Sequence, residues 1–80
     1  MTNDFEFTEH ATKRLRLRTE IRVEWIQDAL VNPDSVEAKF PDEHHYLKEI
    51  VEFGWRVLRV IVNPLADPKK IVTFHFDRGL

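Results

Sequence analysis

The sequence contains no cysteine and no long apolar run, and each absence excludes a class of protein. Without cysteine there is no disulfide framework, which fits a reducing compartment. No apolar run approaches the roughly 20 residues that cross a bilayer, and the polar start MTNDFEFTEH lacks the apolar segment of a signal peptide. We therefore expect a cytoplasmic protein that does not cross a membrane.

The chain contains only two glycines and four prolines. Its length of 80 residues predicts a single domain over 1–80. The hydrophobic share of 42%, with six Phe and two Trp, is enough for one core. The net charge is only −2, but basic residues are in excess in 9–22 and 53–80 and acidic residues in 34–52. Such a chain could bind an anion locally, although it lacks the overall positive charge of most strong nucleic-acid binders.

The first half of the chain has the pattern of a short strand followed by two helices. Phenylalanine alternates with glutamate in 5–7, which is typical of a half-buried strand. Thr8 stands at the N-cap position of a helix predicted over 9–18. A second helix is predicted over 22–31 and ends before Pro33, because the residue before a proline avoids the helical region. The short connection between them predicts a helical hairpin.

Beyond Pro33 the apolar period changes from helical to alternating, which predicts strands. The predicted strands are 36–40, 45–53, 55–63 and 71–77, with a tight turn at Gly54. The fold class is therefore α+β: a short N-terminal strand, a helical hairpin, and a mainly antiparallel sheet of about four strands. The nearly continuous apolar residues of 55–63 predict a central strand covered on both faces. We expect its most buried residues to include Val57, Leu58, Val60 and Ile61.

Three polar residues of the first predicted helix form a stripe along one side. His10, Arg14 and Arg18 recur at intervals of four residues, so their side chains share a face. An imidazole beside two guanidiniums is what phosphodiester cleavage needs: a group that moves protons near neutral pH, and cations that hold a phosphate. The alternative is the solvated face of an amphipathic helix, and such cationic stripes are common.

A second candidate pair lies at the end of the last predicted strand. His75 alternates with Phe74 and Phe76, so we expect its side chain to point away from the apolar layer. Arg78 follows three residues later. The alternative interpretation is an ordinary surface or hydrogen-bonded histidine.

The sequence Asp-Glu-His-His at 42–45 invites a metal-site interpretation, but adjacent side chains on an extended chain point apart and no cysteine accompanies them. A solvated turn is the preferred interpretation of 42–45, and we expect no metal and no cofactor. Trp25 and Trp55 are interpreted as core or packing residues, with an interface role as the alternative.

Several short motifs follow one another in a characteristic order. They are HATKRLRLR, an isoleucine, ALVNPDSV and the closing IVTFHFD. Together they resemble the bacterial domain-of-unknown-function 4258 family over most of the chain. One departure is Thr19-Glu20, where the family often has a single glycine, so the turn after the first helix is longer here. The residues that carry the resemblance are His10, Ala11, Arg14, Arg18, Ile21, Ala29, Leu30, Asn32, Pro33, Asp34, Val72 and Thr73.

That family is similar to the RelE-like and BrnT-like toxins of type II toxin–antitoxin systems. The resemblance implies a metal-independent ribonuclease toxin whose partners are RNA and an antitoxin protein. It implies His10 as a general acid or base, with Arg14 and Arg18 holding the phosphate. His75 and Arg78 would form a second group across the sheet.

Two alternatives remain beside the ribonuclease hypothesis: a non-enzymatic binding module with the same fold, and a complex formed through an exposed sheet edge. If the ribonuclease hypothesis holds, His10, Arg14 and either His75 or Arg78 should converge on one surface groove. The two basic segments should then join into one positive patch, with the acidic 34–52 segment facing elsewhere.

Overall fold

The computed structural model describes residues 5–77, which form one five-stranded sheet and two helices. The strand order is β1-β5-β4-β3-β2, in which β1 pairs with β5 in parallel and all other pairs are antiparallel. The α+β prediction is confirmed. Within the described residues, no helix is long and apolar enough to cross a membrane. The elements are β1 (Phe5–Phe7), α1 (Glu9–Leu17), α2 (Val23–Val31), β2 (Ser35–Phe40), β3 (Glu43–Ile50), a 3₁₀ turn (Val51–Phe53), β4 (Arg56–Asn63) and β5 (Lys69–Phe76).

Helix α1 begins where the sequence predicts it. The Thr8 hydroxyl accepts a hydrogen bond from the backbone N–H of Ala11 at 3.1 Å, which satisfies one of the free donors of the first turn. Ala11 is fully buried and anchors the helix on the core. The helix ends at Leu17, so Arg18 is its C-cap rather than a residue of its last turn.

Helix α2 ends at the predicted border with the sheet. Ile26 and Ala29 are fully buried, and the backbone N–H of Asn32 closes the last turn on the carbonyl of Asp28. Pro33 then lies outside regular structure. The apolar spacing and the proline together therefore position this helix.

Strand β4 occupies the centre of the sheet as predicted, but only one of its faces is covered. Leu58, Val60 and Val62 are fully buried, whereas Val57 and Ile61 are only half-buried. The prediction that both faces are buried, with Val57 and Ile61 among the most buried residues, is wrong. Both helices contribute their buried side chains to the same core, so the opposite face of the sheet, called here the open face, carries no helix.

The connection between β3 and β4 is longer than the sequence predicts. Strand β3 ends at Ile50, and 51–53 form a 3₁₀ turn instead of continuing the strand. Gly54 and Trp55 both have positive φ angles, of 70° and 65°, so β4 begins only at Arg56. Trp55 is 62% exposed, and its predicted packing role is wrong because the reversed backbone takes it out of the strand. Trp25, in contrast, packs against the core as predicted.

One edge of the sheet is shared between a strand and a helix. Strand β1 pairs with β5 only along 69–71, so the outer edge of β5 beyond this point faces α1. The Thr8 hydroxyl donates to the carbonyl of Val72 at 3.4 Å, and Arg14 Nε donates to the carbonyl of Phe74 at 3.2 Å. These contacts place α1 beside the last residues of β5.

Candidate functional site

A depression of about 210 Å³ lies at this end of β5 and combines cationic, aromatic and imidazole groups. It brings together Arg18 and His75, which the sequence places in two separate candidate groups. It also adds Arg56 from the start of β4, which sequence reasoning missed. The depression is lined by Arg18, Glu20, Phe53, Arg56, His75 and Phe76.

His75 is the titratable group of this site. Its position in β5 opposite Arg59 places it on the open face, away from the apolar layer as predicted. Burial lowers the pKa of His75 below its ordinary value of 6.5. The carboxylate of Asp77, 3.6 Å from His75 Nε2, opposes this shift, while the positive charges of Arg59 and Arg14 reinforce it. At neutral pH the imidazole is therefore neutral and able to accept a proton.

Arg18 and Arg56 line the depression together with His75, and Arg14 is close enough to act on the imidazole by its charge. The Nε–H of Arg14 donates to the Phe74 carbonyl. Arg14 has no carboxylate partner among residues 5–77, so its terminal N–H groups are available to bind an anion. Arg56 likewise has no carboxylate partner in the described part of the chain. Arg18 pairs with Glu20 at 3.2 Å, but both side chains are exposed by more than 40%, so this pair is weak. The site therefore holds positive charge that the described residues do not neutralise.

His10 lies one helical turn before Arg14, at the exposed start of α1. It does not line the depression, and it forms no hydrogen bond or ion pair with another residue in 5–77. Its role as an acid or base stays a prediction. Arg78 lies outside the described residues, so its predicted place beside His75 also stays a prediction.

The open face carries a polar network that sequence reasoning missed. Arg59 forms two hydrogen bonds of 2.8 Å with the carboxylate oxygens of Asp77. Its Nη1 also donates to Glu37 at 3.2 Å and to His45 Nδ1 at 2.8 Å. The network joins β2, β3 and β4 to the residue that follows β5. Arg59 holds the pKa of Asp77 below its usual range, and Asp77 in turn raises the pKa of Arg59.

His45 is a buried member of this network, not part of a solvated turn. Strand β3 begins at Glu43, so the predicted turn is confined to the residues before it. A guanidinium can only donate, so His45 Nδ1 is the acceptor and its ring proton is on Nε2, which lies 2.9 Å from Glu43. The interpretation of 42–45 as a solvated turn is therefore wrong for His45, because β-sheet register buries it beside Arg59.

The charge distribution also differs from the expected single positive patch. Glu37 belongs to the acidic segment, yet it contacts Arg59 of the basic segment across the sheet. Lys39, followed by Arg59, lowers the pKa of Glu37. The expectation that the acidic segment faces elsewhere is wrong on the open face. One feature of the sequence could have indicated this network. Arg59 is a charged residue inside the apolar run RVLRVIV, and the alternation of the strand directs its side chain to the open face.

The motifs of the chain can now be compared with known families. The model of the family described as "Domain of unknown function (DUF4258)" matches residues 7–74. The chain belongs to the DUF4258 family. No curated protein and no solved structure gives a significant match. Among the residues within this family match, Arg18 lines the depression, Arg14 contacts the neighbouring Phe74 carbonyl, and His10 lies one turn before Arg14 on α1.

Proposed function

We propose that this DUF4258 protein is an endoribonuclease toxin of the RelE-like and BrnT-like kind, in which side chains supply the acid–base groups and the cations. The observation that carries the proposal is the juxtaposition of His75 with Arg14, Arg18 and Arg56 at one end of β5. RNA in the cytoplasm would be its substrate.

The proposed reaction begins with proton transfer to His75. The neutral imidazole takes the proton of a ribose 2′-OH, and the 2′ oxygen forms a bond with the adjacent phosphorus. The bond from phosphorus to the 5′ oxygen breaks, and an acid protonates the departing oxygen. The products are a 2′,3′-cyclic phosphate and a free 5′-OH. His10 is the candidate acid, since it lies one turn before Arg14 on the same face of α1.

The arginines stabilise the phosphate while its negative charge increases. Arg14 is held in place by its hydrogen bond to the Phe74 carbonyl, and it has no carboxylate partner among residues 5–77. Arg56 is held beside two aromatic rings. Fixed donors of this kind stabilise a developing anion without first having to reorganise.

The antitoxin in this proposal would bind the exposed edge strand β2. Val36 and Phe40 of this strand are 47% and 62% exposed, because α2 packs on β3 and β4 but leaves β2 uncovered. An exposed strand edge with apolar side chains is a site where a partner adds a strand. The same observation favours the alternative function, a non-enzymatic binding module that uses this edge without any RNA cleavage.

Regulated expression in a bacterium separates the two functions. The ribonuclease proposal predicts growth arrest and RNA cleavage by the purified protein in the presence of EDTA. The His10→Ala variant should cleave about 10²–10⁴ times more slowly if His10 is the acid. Unchanged cleavage by His10→Ala would exclude this role for His10. A wild-type protein that neither arrests growth nor cleaves RNA, yet captures a partner through β2, would establish the binding module instead.

A further inference from the structure

The aromatic rings beside the proposed catalytic group form a stack of two partly buried side chains that line the depression. The rings of Phe53 and Phe76 are nearly parallel, at 17°, with their centres 4.4 Å apart. Both rings line the same depression as His75. Phe53 comes from the 3₁₀ turn before Gly54, and Phe76 is the last residue of β5, so the stack depends on the fold and not on a local motif.

Both rings pack against the core, and two further neighbours lie at the side of the stack. The Arg56 guanidinium carbon is 5.9 Å from the centre of the Phe53 ring and 5.7 Å from that of Phe76. A group on the outer face of one ring would be much farther from the other ring, so equal distances place Arg56 beside the stack. The ring of Trp25 is also nearly equidistant, at 5.8 and 6.2 Å. Neither residue covers an outer face of the stack.

The depression therefore offers aromatic side chains for a flat ring of a ligand and a guanidinium for its anionic group. The outer face of an aromatic side chain stacks on any nucleobase, and such stacking is tolerant of base identity. Arg56 lies beside the stack, with no carboxylate partner among residues 5–77, and a guanidinium binds a phosphate through its N–H edge. The ligand that combines a flat heteroaromatic ring with a phosphate at this spacing is a nucleotide.

We propose that the depression is a nucleotide subsite, in which the Phe53–Phe76 stack supports the base and Arg56 holds the phosphate attached to its ribose. This inference deepens the proposed function and rests on it for its biological context: the bound unit is one nucleotide of a single-stranded RNA beside the bond that is cleaved. Duplex RNA does not fit, because its bases are already stacked on one another.

Binding of three small probes tests the subsite without any cleavage. AMP carries both base and phosphate, adenosine carries only the base, and ribose 5-phosphate carries only the sugar phosphate. Binding is followed by NMR chemical-shift changes of the backbone and of the arginine side chains. We expect AMP to bind more tightly than ribose 5-phosphate by about 5- to 150-fold, the range given by stacking of one base.

Two variants assign the two parts of the subsite. Arg56→Gln should weaken the binding of AMP and of ribose 5-phosphate by a similar factor and leave the affinity for adenosine unchanged. Phe76→Leu should reduce the affinity for AMP to that for ribose 5-phosphate. Arg16→Gln is the matched control, because Arg16 is exposed on α1 and does not line the depression. If Phe76→Leu fails to fold, the Arg56 arm and the comparison of probes still decide the question.

Equal binding of AMP and ribose 5-phosphate to the wild-type protein would overturn the proposal, as would AMP shifts that lie away from the depression. The outcome is distinguishable from that of the ribonuclease proposal. A protein that binds AMP as described but cleaves no RNA retains the subsite and loses the enzymatic function. A protein that cleaves RNA but binds AMP and ribose 5-phosphate equally well retains the enzymatic function and loses the subsite.

Discussion

Replacing Arg59 with methionine is expected to lower the free energy of unfolding by about 2–4 kcal/mol. Methionine keeps an unbranched apolar stem but removes the guanidinium and with it every donor. Asp77, whose side chain is only 16% exposed, then loses both of its 2.8 Å hydrogen bonds. Hydrogen bonds to charged groups contribute about 1.5–3 kcal/mol. Glu37 is 42% exposed and can turn to water, so most of the cost comes from Asp77 and from the unsatisfied Nδ1 of His45.

The pH dependence identifies this mechanism. Arg59 lowers the pKa of Asp77 from its ordinary value of 3.8, so the folded protein releases this proton more readily than the unfolded chain. The resulting stability is present above the ordinary pKa and is lost as the pH falls through the lowered one. The difference between wild type and Arg59→Met should therefore narrow as the pH is lowered from about 6 to about 3.

Urea unfolding followed by circular dichroism measures this difference directly. Arg16→Met is the matched control and should change the free energy of unfolding by less than about 0.5 kcal/mol, because Arg16 is exposed on α1. A loss in Arg59→Met no larger than in this control, or one independent of pH, would refute the reasoning.

The remaining predictions concern the core, the helix cap and the titration of the site. Leu58→Ala, at a fully buried position, should cost about 2–5 kcal/mol in urea unfolding, whereas Ile61→Ala on the open face should cost only about 1–2 kcal/mol. Thr8→Ala removes the cap of α1 and should cost about 1 kcal/mol in the same assay, with no cost indicating that the cap is not needed. NMR titration should place the pKa of His75 below 6.5, and Asp77→Asn should lower it further, since the carboxylate opposes the shift. His75 then contributes stability that is lost as the pH falls below about 6.5, and a midpoint above this value would contradict the assignment.

Local signals in the sequence predict both helices and the existence of each strand, but not the 3₁₀ turn at 51–53. Thr8 and Pro33 act on their own neighbours through capping and steric exclusion, so the helix borders follow without knowledge of the rest of the chain. The alternation of apolar residues likewise identifies each strand. What alternation cannot indicate is how many faces are covered. The sequence pattern around Ile61 would be the same with or without a helix packed over it, and in this fold no helix covers that face.

The candidate site was only partly predictable, because it depends on register. The sequence indicates Arg18 and His75 individually, but only the fold places them in one depression with Arg56. The stripe along α1 also breaks at its last member, since the helix ends at Leu17. The open-face network joins residues that are 14 to 22 positions apart, and no spacing rule connects them before the sheet is formed.

The most direct test of the proposed function is the rate at which the purified protein cleaves a single-stranded RNA oligonucleotide in EDTA. The His75→Gln variant removes the proton acceptor, and His44→Gln, also on a strand but paired with Ala38 and Val62 away from the depression, is the matched control. The account predicts that His75→Gln cleaves about 10²–10⁴ times more slowly than wild type, while His44→Gln keeps the wild-type rate and the same 2′,3′-cyclic phosphate product. Equal rates for His75→Gln and wild type, or no cleavage by the wild-type protein, would contradict it.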